Sequence, residues 1–300
     1  MYKKLSSALN MLQRQANGTK EVTVAMVKTK AGCSACTKTI RKAFHAHGIR
    51  FRRLREKPIL TKDDIKDRLR FGLRHKFRSK ARWAFYPHAI IDNKNFPLYL
   101  NAAGREYAAR RSVRGAFRSP RDALKQHLVK PKDTIKFPVK SAVITAAIVK
   151  GRIRMWHEVD GRWNGVAAAR MYSGPLRKAV AKAFPGRRSW VVMEDNDPAG
   201  YKCRKGLQAK SDAKLVTLDL PKRSPDCNPL DYSLWKEINS RMRGQERGFT
   251  RSFRESKSEY LRRLRHTALS LPKSVVTKAV GDMRRRVREL VERKGALISE

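Results

Sequence analysis

Acidic residues are scarce in this chain. Its 300 residues hold 26 Asp and Glu against 70 Lys and Arg, a formal net charge of +44. A positive excess of that size repels itself unless it meets a polyanion. It points to DNA or RNA as partner, and to binding that weakens steeply with salt. An RNA-coating protein would share the balance, so charge alone does not give the function. No apolar run reaches about 18 residues, which predicts no membrane span and no membrane partner. The first residues, MYKKLSSALNMLQ, lack the long apolar core of a signal peptide. Cysteines number four. Without a secretory signal they read as reduced thiols of an intracellular protein. No internal repeat or low-complexity tract is found. What is present is a 41% hydrophobic content, enough for the core of one large domain or two smaller ones.

The most informative stretch is 189–241. The apolar run Trp190-Val191-Val192-Met193 ends in Glu194, Asp195 and Asp197. That pattern predicts a buried strand delivering carboxylates at its C-terminal edge. A helical segment follows, then a second strand near Leu215 to Leu220. A proline-punctuated loop leads to Asn228-Pro229-Leu230-Asp231. Asp195 and Asp231 have 35 residues between them. Carboxylates on neighbouring elements of one sheet can share divalent ions. Upstream, another apolar run from Trp83 ends in Asp92. Plainer readings fit the same residues. Asn228, Pro229 and Asp231 suit a helix start, and Asp195 to Pro198 suit a turn. Strand alternation adds that Glu194 and Asp195 face opposite sides, so both cannot reach one site. Asp197, just before Pro198, is better placed to cap the next segment than to bind metal.

Asp195-Asn196-Asp197-Pro198 and Ser224-Pro225-Asp226-Cys227-Asn228-Pro229-Leu230-Asp231 together resemble the catalytic core of the mariner superfamily of cut-and-paste transposases. Asp92 and Phe96 are similar to the family's first acidic motif. Asn93 stands there in place of the usual Glu, and Gly200 in place of a frequent His. The resemblance implies an α/β fold: a ribonuclease-H-like mixed sheet with flanking helices, Asp92 on its first strand and Asp195 on its fourth. It implies Asp92, Asp195 and Asp231 as catalytic and metal-binding acids for two Mg2+ or Mn2+ ions, with Asp92 between them. It implies cutting at transposon terminal repeats in double-stranded DNA and joining at TA target sites. A homodimer on DNA and a nuclear location follow from the same resemblance. The alternative is a domesticated or decayed relative that only binds DNA.

The N-terminal part predicts three short helices. Leu5, Leu9 and Leu12 have helical spacing, 22–30 forms a second helix, and Gly32 breaks it. A third runs over 35–47 and is closed by Gly48. This describes a small all-α helix-turn-helix whose last helix enters the major groove. Thr37, Lys38, Arg41 and Lys42 lie on its polar side, with Ile40 and Phe44 toward the core. It resembles the second half of the bipartite DNA-binding region of mariner-type transposases, and the chain is expected to start too late to contain the first half. Cys33, Cys36, His45 and His47 do not suit zinc. Only one residue separates the histidines, against the usual spacing of about three to five. Arg50, Arg52 and Arg53 open a basic linker able to follow a phosphate backbone, and it doubles as a weak nuclear-targeting patch. The expected division is 1–49 helix-turn-helix, 50–60 linker and 61–300 catalytic domain, with residues 1 to about 60 binding DNA by themselves. Within the last part, 61–76 predicts a helix. Residues 97–140 predict a second strand and a DNA-facing insertion. Residues 141–150 and 152–157 predict strands, 164–184 one helix, and 251–271 and 272–294 basic helices.

Overall fold

The computed structural model describes residues 1–18, 20–110, 115–130 and 140–298. They pack as two units, 1–61 with 115–130 and 62–110 with 140–298. In chain order the elements begin with α1 (Tyr2–Ala16), α2 (Val24–Lys30), α3 (Thr37–Ala46), β1 (Arg50–Arg53) and β2 (Arg55–Glu56). There follow α4 (Lys62–His75), α5 (Lys80–Phe85), β3 (Ala89–Pro97), α6 (Ala102–Arg110), β4 (Gly115–Arg118) and β5 (Val129–Lys130). Then come β6 (Ser141–Val149), β7 (Arg152–Val159), α7 (Gly165–Met171), α8 (Arg177–Ala183) and β8 (Trp190–Glu194). The last are α9 (Arg204–Asp212), β9 (Leu215–Asp219), α10 (Trp235–Glu246), α11 (Lys257–Leu269) and α12 (Lys273–Glu292). Among the described residues no helix is long and apolar enough to cross a membrane.

In the smaller unit the helical spacing of apolar residues buries Leu5, Leu9, Val24, Val27, Ile40 and Phe44 together. The Thr23 hydroxyl caps α2 by accepting from the Met26 N–H. The core is completed from far along the chain. Phe117 of β4 joins it, with ring centroids 5.7 Å from Phe44 and 5.2 Å from Phe51. The Gln13 amide donates to the Phe117 carbonyl at 2.8 Å. Residues 50–53, expected as the start of a linker, form instead a strand pairing antiparallel with β4, from Arg50 opposite Arg118 to Arg53 opposite Gly115. The Phe51 ring lies over Gly115, 2.3 Å from where a Cβ would stand. A four-residue strand with one apolar residue carries no local signal, because its partner is remote in sequence. Of the irregular stretch 97–140, residues 111–114 and 131–139 lie outside the described residues. The rest holds α6, β4 and β5.

The larger unit is built on a five-stranded sheet of order β7-β6-β3-β8-β9. β7, β6 and β3 run antiparallel, while β3, β8 and β9 run parallel. This is a ribonuclease-H-like sheet, with β3 its first strand and β8 its fourth. Alternation divides the side chains between two faces. Ile90 and Met193 pack with α10, α11 and α12, whereas Ala89, Ile91 and Val192 pack with α7, α8 and α9. The single helix expected over 164–184 is interrupted. Pro175 has no N–H to give, and the chain makes a π turn over Tyr172–Leu176 between α7 and α8.

Candidate active site

The sheet register brings the first two acids together. Ala89 lies opposite Val192 and Ile90 opposite Met193 on parallel strands. Carried two residues on, the register sets Asp92 level with Asp195. By alternation both then share the face that carries α10, and Glu194 takes the other. The side chains follow this rule. Asp92 is buried on β3, and its Oδ2 accepts from the Trp235 indole N–H at 2.5 Å. Glu194 is fully buried and accepts from Lys210 Nζ at 2.5 Å, Lys202 Nζ at 3.2 Å and the Tyr172 hydroxyl.

Asp231 arrives from a different element. Its turn, Leu230–Leu234, is a π turn running into α10, a geometry often found at functional sites. Asn228 ties this turn to β3. Its amide donates to the Ile91 carbonyl at 3.2 Å, and its Oδ1 accepts from the Leu230 N–H at 3.1 Å. Ahead of it, Asp226 is buried in a bidentate pair with Arg68, both contacts at 2.7 Å. Arg68 also donates to the Gly295 carbonyl at 2.8 Å and to Ser224 Oγ at 2.8 Å. Arg286 Nη1 donates to the Asp226 carbonyl at 3.1 Å. The loop before Asp231 is thereby clamped to α4, to α12 and to the last described residues.

The acids feel one another. Burial lifts the Asp92 carboxyl well above the usual range, and repulsion from Asp231 is the next cause. Asp195 adds to it, while the Trp235 hydrogen bond and Lys94 oppose it. Asp195 is exposed at the mouth of the site, yet desolvation there pushes it up to about 6. The Asp197 backbone N–H opposes that rise, and the charges of Asp197, Asp231 and Glu194 reinforce it. Among the described residues no trio of Asp, Glu, His or Cys closes around a single ion. Magnesium does not require one. It keeps several waters, takes one or two carboxylates and draws further oxygens from substrate phosphate. An all-carboxylate donor set suits hard divalent ions, so these residues fit Mg2+ or Mn2+.

The residues beside the acids have local roles. Asn93 accepts from the Thr145 hydroxyl directly across the β3–β6 ladder. Asp197 accepts from the N–H groups of Ala199 at 3.2 Å and Gly200 at 2.9 Å, so it caps its own turn. Asn196 donates to the Leu220 carbonyl and fastens that turn to the end of β9. In the smaller unit Thr37, Lys38, Arg41 and Lys42 are exposed along α3, Arg50 is exposed and Arg52 half-buried. The side chain of Arg53 lies outside the described residues. Sequence reasoning did not assign Trp235, Asn228 or Arg68. An aromatic residue four positions after Asp231, on the same side of a helix, was the available signal for Trp235.

A family model described as "Transposase" matches residues 10–76. The chain is 24% identical over 260 residues to the transposable element Tcb1 transposase of Caenorhabditis briggsae, covering 86% of each. It is 22% identical over 261 residues to the transposable element Tc1 transposase of Caenorhabditis elegans, again 86% of each. In fold it is similar to the Mos1 transposase paired-end complex with left transposon end, with a TM-score of 0.64 at 14% identity over 95% of this chain and 78% of that one. The catalytic domain of Mos1 mariner transposase matches with a TM-score of 0.58 at 12% identity, over 81% of this chain and 99% of that one.

Proposed function

We propose that this chain, which resembles mariner-superfamily transposases in sequence and in fold, binds transposon ends and cuts and joins DNA at the Asp92, Asp195 and Asp231 site. The helix-turn-helix reads the DNA, with Thr37, Lys38, Arg41, Lys42, Arg50, Arg52 and Arg53 as its contacts. Asp92 and Asp195 would hold one Mg2+ or Mn2+ ion, and Asp92 and Asp231 a second. When bound, such ions supply an activated water or 3′ hydroxyl and relieve charge on the phosphate. The protein's own part is positioning. Trp235 fixes one oxygen of Asp92, Asn228 holds the Asp231 turn against β3, and the Asp226 clamp immobilises the loop ahead of it. Neighbours of known structure support the ions and the DNA, since Mos1 is described in paired-end complexes with Mn and with Mg. Joining at TA sites, action as a homodimer on terminal repeats and a nuclear location complete the reading.

The observation that carries it is the shared register of Asp92 and Asp195, with Asp231 close enough to raise Asp92. The test is Mg2+- or Mn2+-dependent nicking of DNA by purified protein. Asp92→Asn and Asp195→Asn are each expected to lose more than about 100-fold in cleavage, beyond the range for residues that only support a ligand. DNA affinity should be retained. Cleavage at the wild-type rate in either variant overturns the assignment. No cleavage by the parent protein on DNA it binds tightly establishes the binding-only alternative.

A further inference from the structure

Trp163 stands immediately before α7, whose first turn is capped by Asn164 through the N–H groups of Val166 at 2.9 Å and Ala167 at 3.1 Å. Its indole N–H donates to Asp197 Oδ2 at 2.7 Å. Asp197 also receives the Ala199 and Gly200 N–H groups, and its own N–H donates to Asp195 Oδ1 at 3.2 Å. The indole therefore holds the Asp197 side chain, and the backbone N–H of that same residue holds the Asp195 carboxylate.

The surroundings keep that indole in place. A Cβ at Gly200 would lie 2.3 Å from Trp163 Nε1, so the ring fills the space a residue-200 side chain would need. Tyr201 packs edge-on against it, with ring centroids 5.2 Å apart. Two more glycines draw the neighbouring elements together. A Cβ at Gly165 would meet Cys203 Sγ at 2.4 Å, and one at Gly206 would meet the Gly200 carbonyl at 2.2 Å. The starts of α7 and α9 and the turn after β8 are thus in direct contact, with Trp163 among them. A tryptophan kept for packing alone has no need of a carboxylate for its N–H. This one makes a charge-assisted bond, the kind that orients as well as attracts.

We propose that Trp163 is a positioning residue. It fixes the Asp195 carboxylate through Asp197 for a divalent ion, and residue 200 is glycine because the indole occupies its place. The inference rests on the reading of Asp195 as a metal ligand.

The experiment measures Mn2+ binding to the full chain by electron paramagnetic resonance, and the Mg2+ dependence of nicking. Trp163→Phe keeps a ring and removes the N–H. Its Mn2+ dissociation constant should rise about tenfold, the lower end of what loss of an outer partner costs. The Mg2+ needed for half-maximal nicking should rise in step. The rate at saturating ion and the unfolding midpoint should stay near the parent's. Trp163→His, which retains a ring N–H, should recover part of the affinity. Gly200→Ala should weaken Mn2+ comparably by displacing the indole, and serves where the Phe variant folds poorly. Parent-like Mn2+ affinity in both Trp163→Phe and Gly200→Ala overturns the inference. If Asp195→Asn weakens Mn2+ and those two variants do not, this inference alone fails. If Asp195→Asn binds Mn2+ like the parent, the metal reading fails and this inference with it.

Discussion

Glu194 and Asp195 are consecutive residues whose charges are handled in opposite ways. Glu194, fully buried behind the sheet, has two lysines and a tyrosine on it. Asp226, equally buried, has a two-pronged arginine. For Asp92, by contrast, the strongest charge effect is another carboxylate, and its hydrogen-bond donor is a neutral indole. A chain with 70 basic residues had cations to spare. Burial and neighbouring carboxylates raise Asp92 and Asp195 at the site proposed for divalent ions, while the neutralised acids hold the frame. Burial of a charge thus has two uses here, told apart by what faces it.

Breaking the neutralised side should have the largest effect. Asp226→Ala leaves the Arg68 guanidinium, 0% exposed, without its carboxylate. Removing one partner of a buried pair costs about 3–5 kcal/mol, which chemical denaturation would read directly. Stability within about 1 kcal/mol of the parent would mean the clamp is dispensable. On the other side, Trp235→Phe removes the N–H on Asp92 together with part of a buried ring. We expect metal affinity to fall about tenfold by Mn2+ titration, with a stability loss of about 1–2 kcal/mol from the space left in the core. The smallest effect concerns pH. Asp195 sits near 6 against an ordinary 3.8, so the folded chain holds this proton more tightly than the unfolded one. Its contribution favours folding below about pH 4 and is lost as pH rises toward 6. Because the residue is exposed, solvent limits the effect to under about 1 kcal/mol. In chelator, the parent should lose stability relative to Asp195→Asn between pH 4 and 6. Added Mg2+ should restore it at pH 7. Parallel pH profiles for the two proteins would show that Asp195 is not raised in the folded chain.

Much of this site could be read in the residues. Apolar runs ending in Asp92 and in Glu194-Asp195 announced two strands, and a period of two separated Glu194 from Asp195. A mixed sheet with Asp92 on its first strand and Asp195 on its fourth followed from the family resemblance. Contacts between distant segments could not be read this way. Nothing near Arg68 predicts a carboxylate 158 residues on. Nothing near Trp163 says that its N–H will find Asp197. The β1 strand looked like a linker because arginines dominate it and its partner lies past α6. The π turn at Tyr172–Leu176 needed only closer attention to Pro175, which breaks the ladder when it stands inside a helix.

The pairing of β1 with β4 bears on how this protein can be divided. Phe117 closes the core of the three N-terminal helices, and Gln13 finds its acceptor on the same residue. A fragment ending near residue 60 would leave Phe44 and Phe51 without the ring that covers them. The DNA-reading module is therefore spelled in two places, one of them set inside the sequence of the catalytic sheet. Any chimera meant to transplant its specificity must carry residues 115–130 as well as the N-terminus. Exchange of recognition modules by simple end-to-end fusion is closed to this chain.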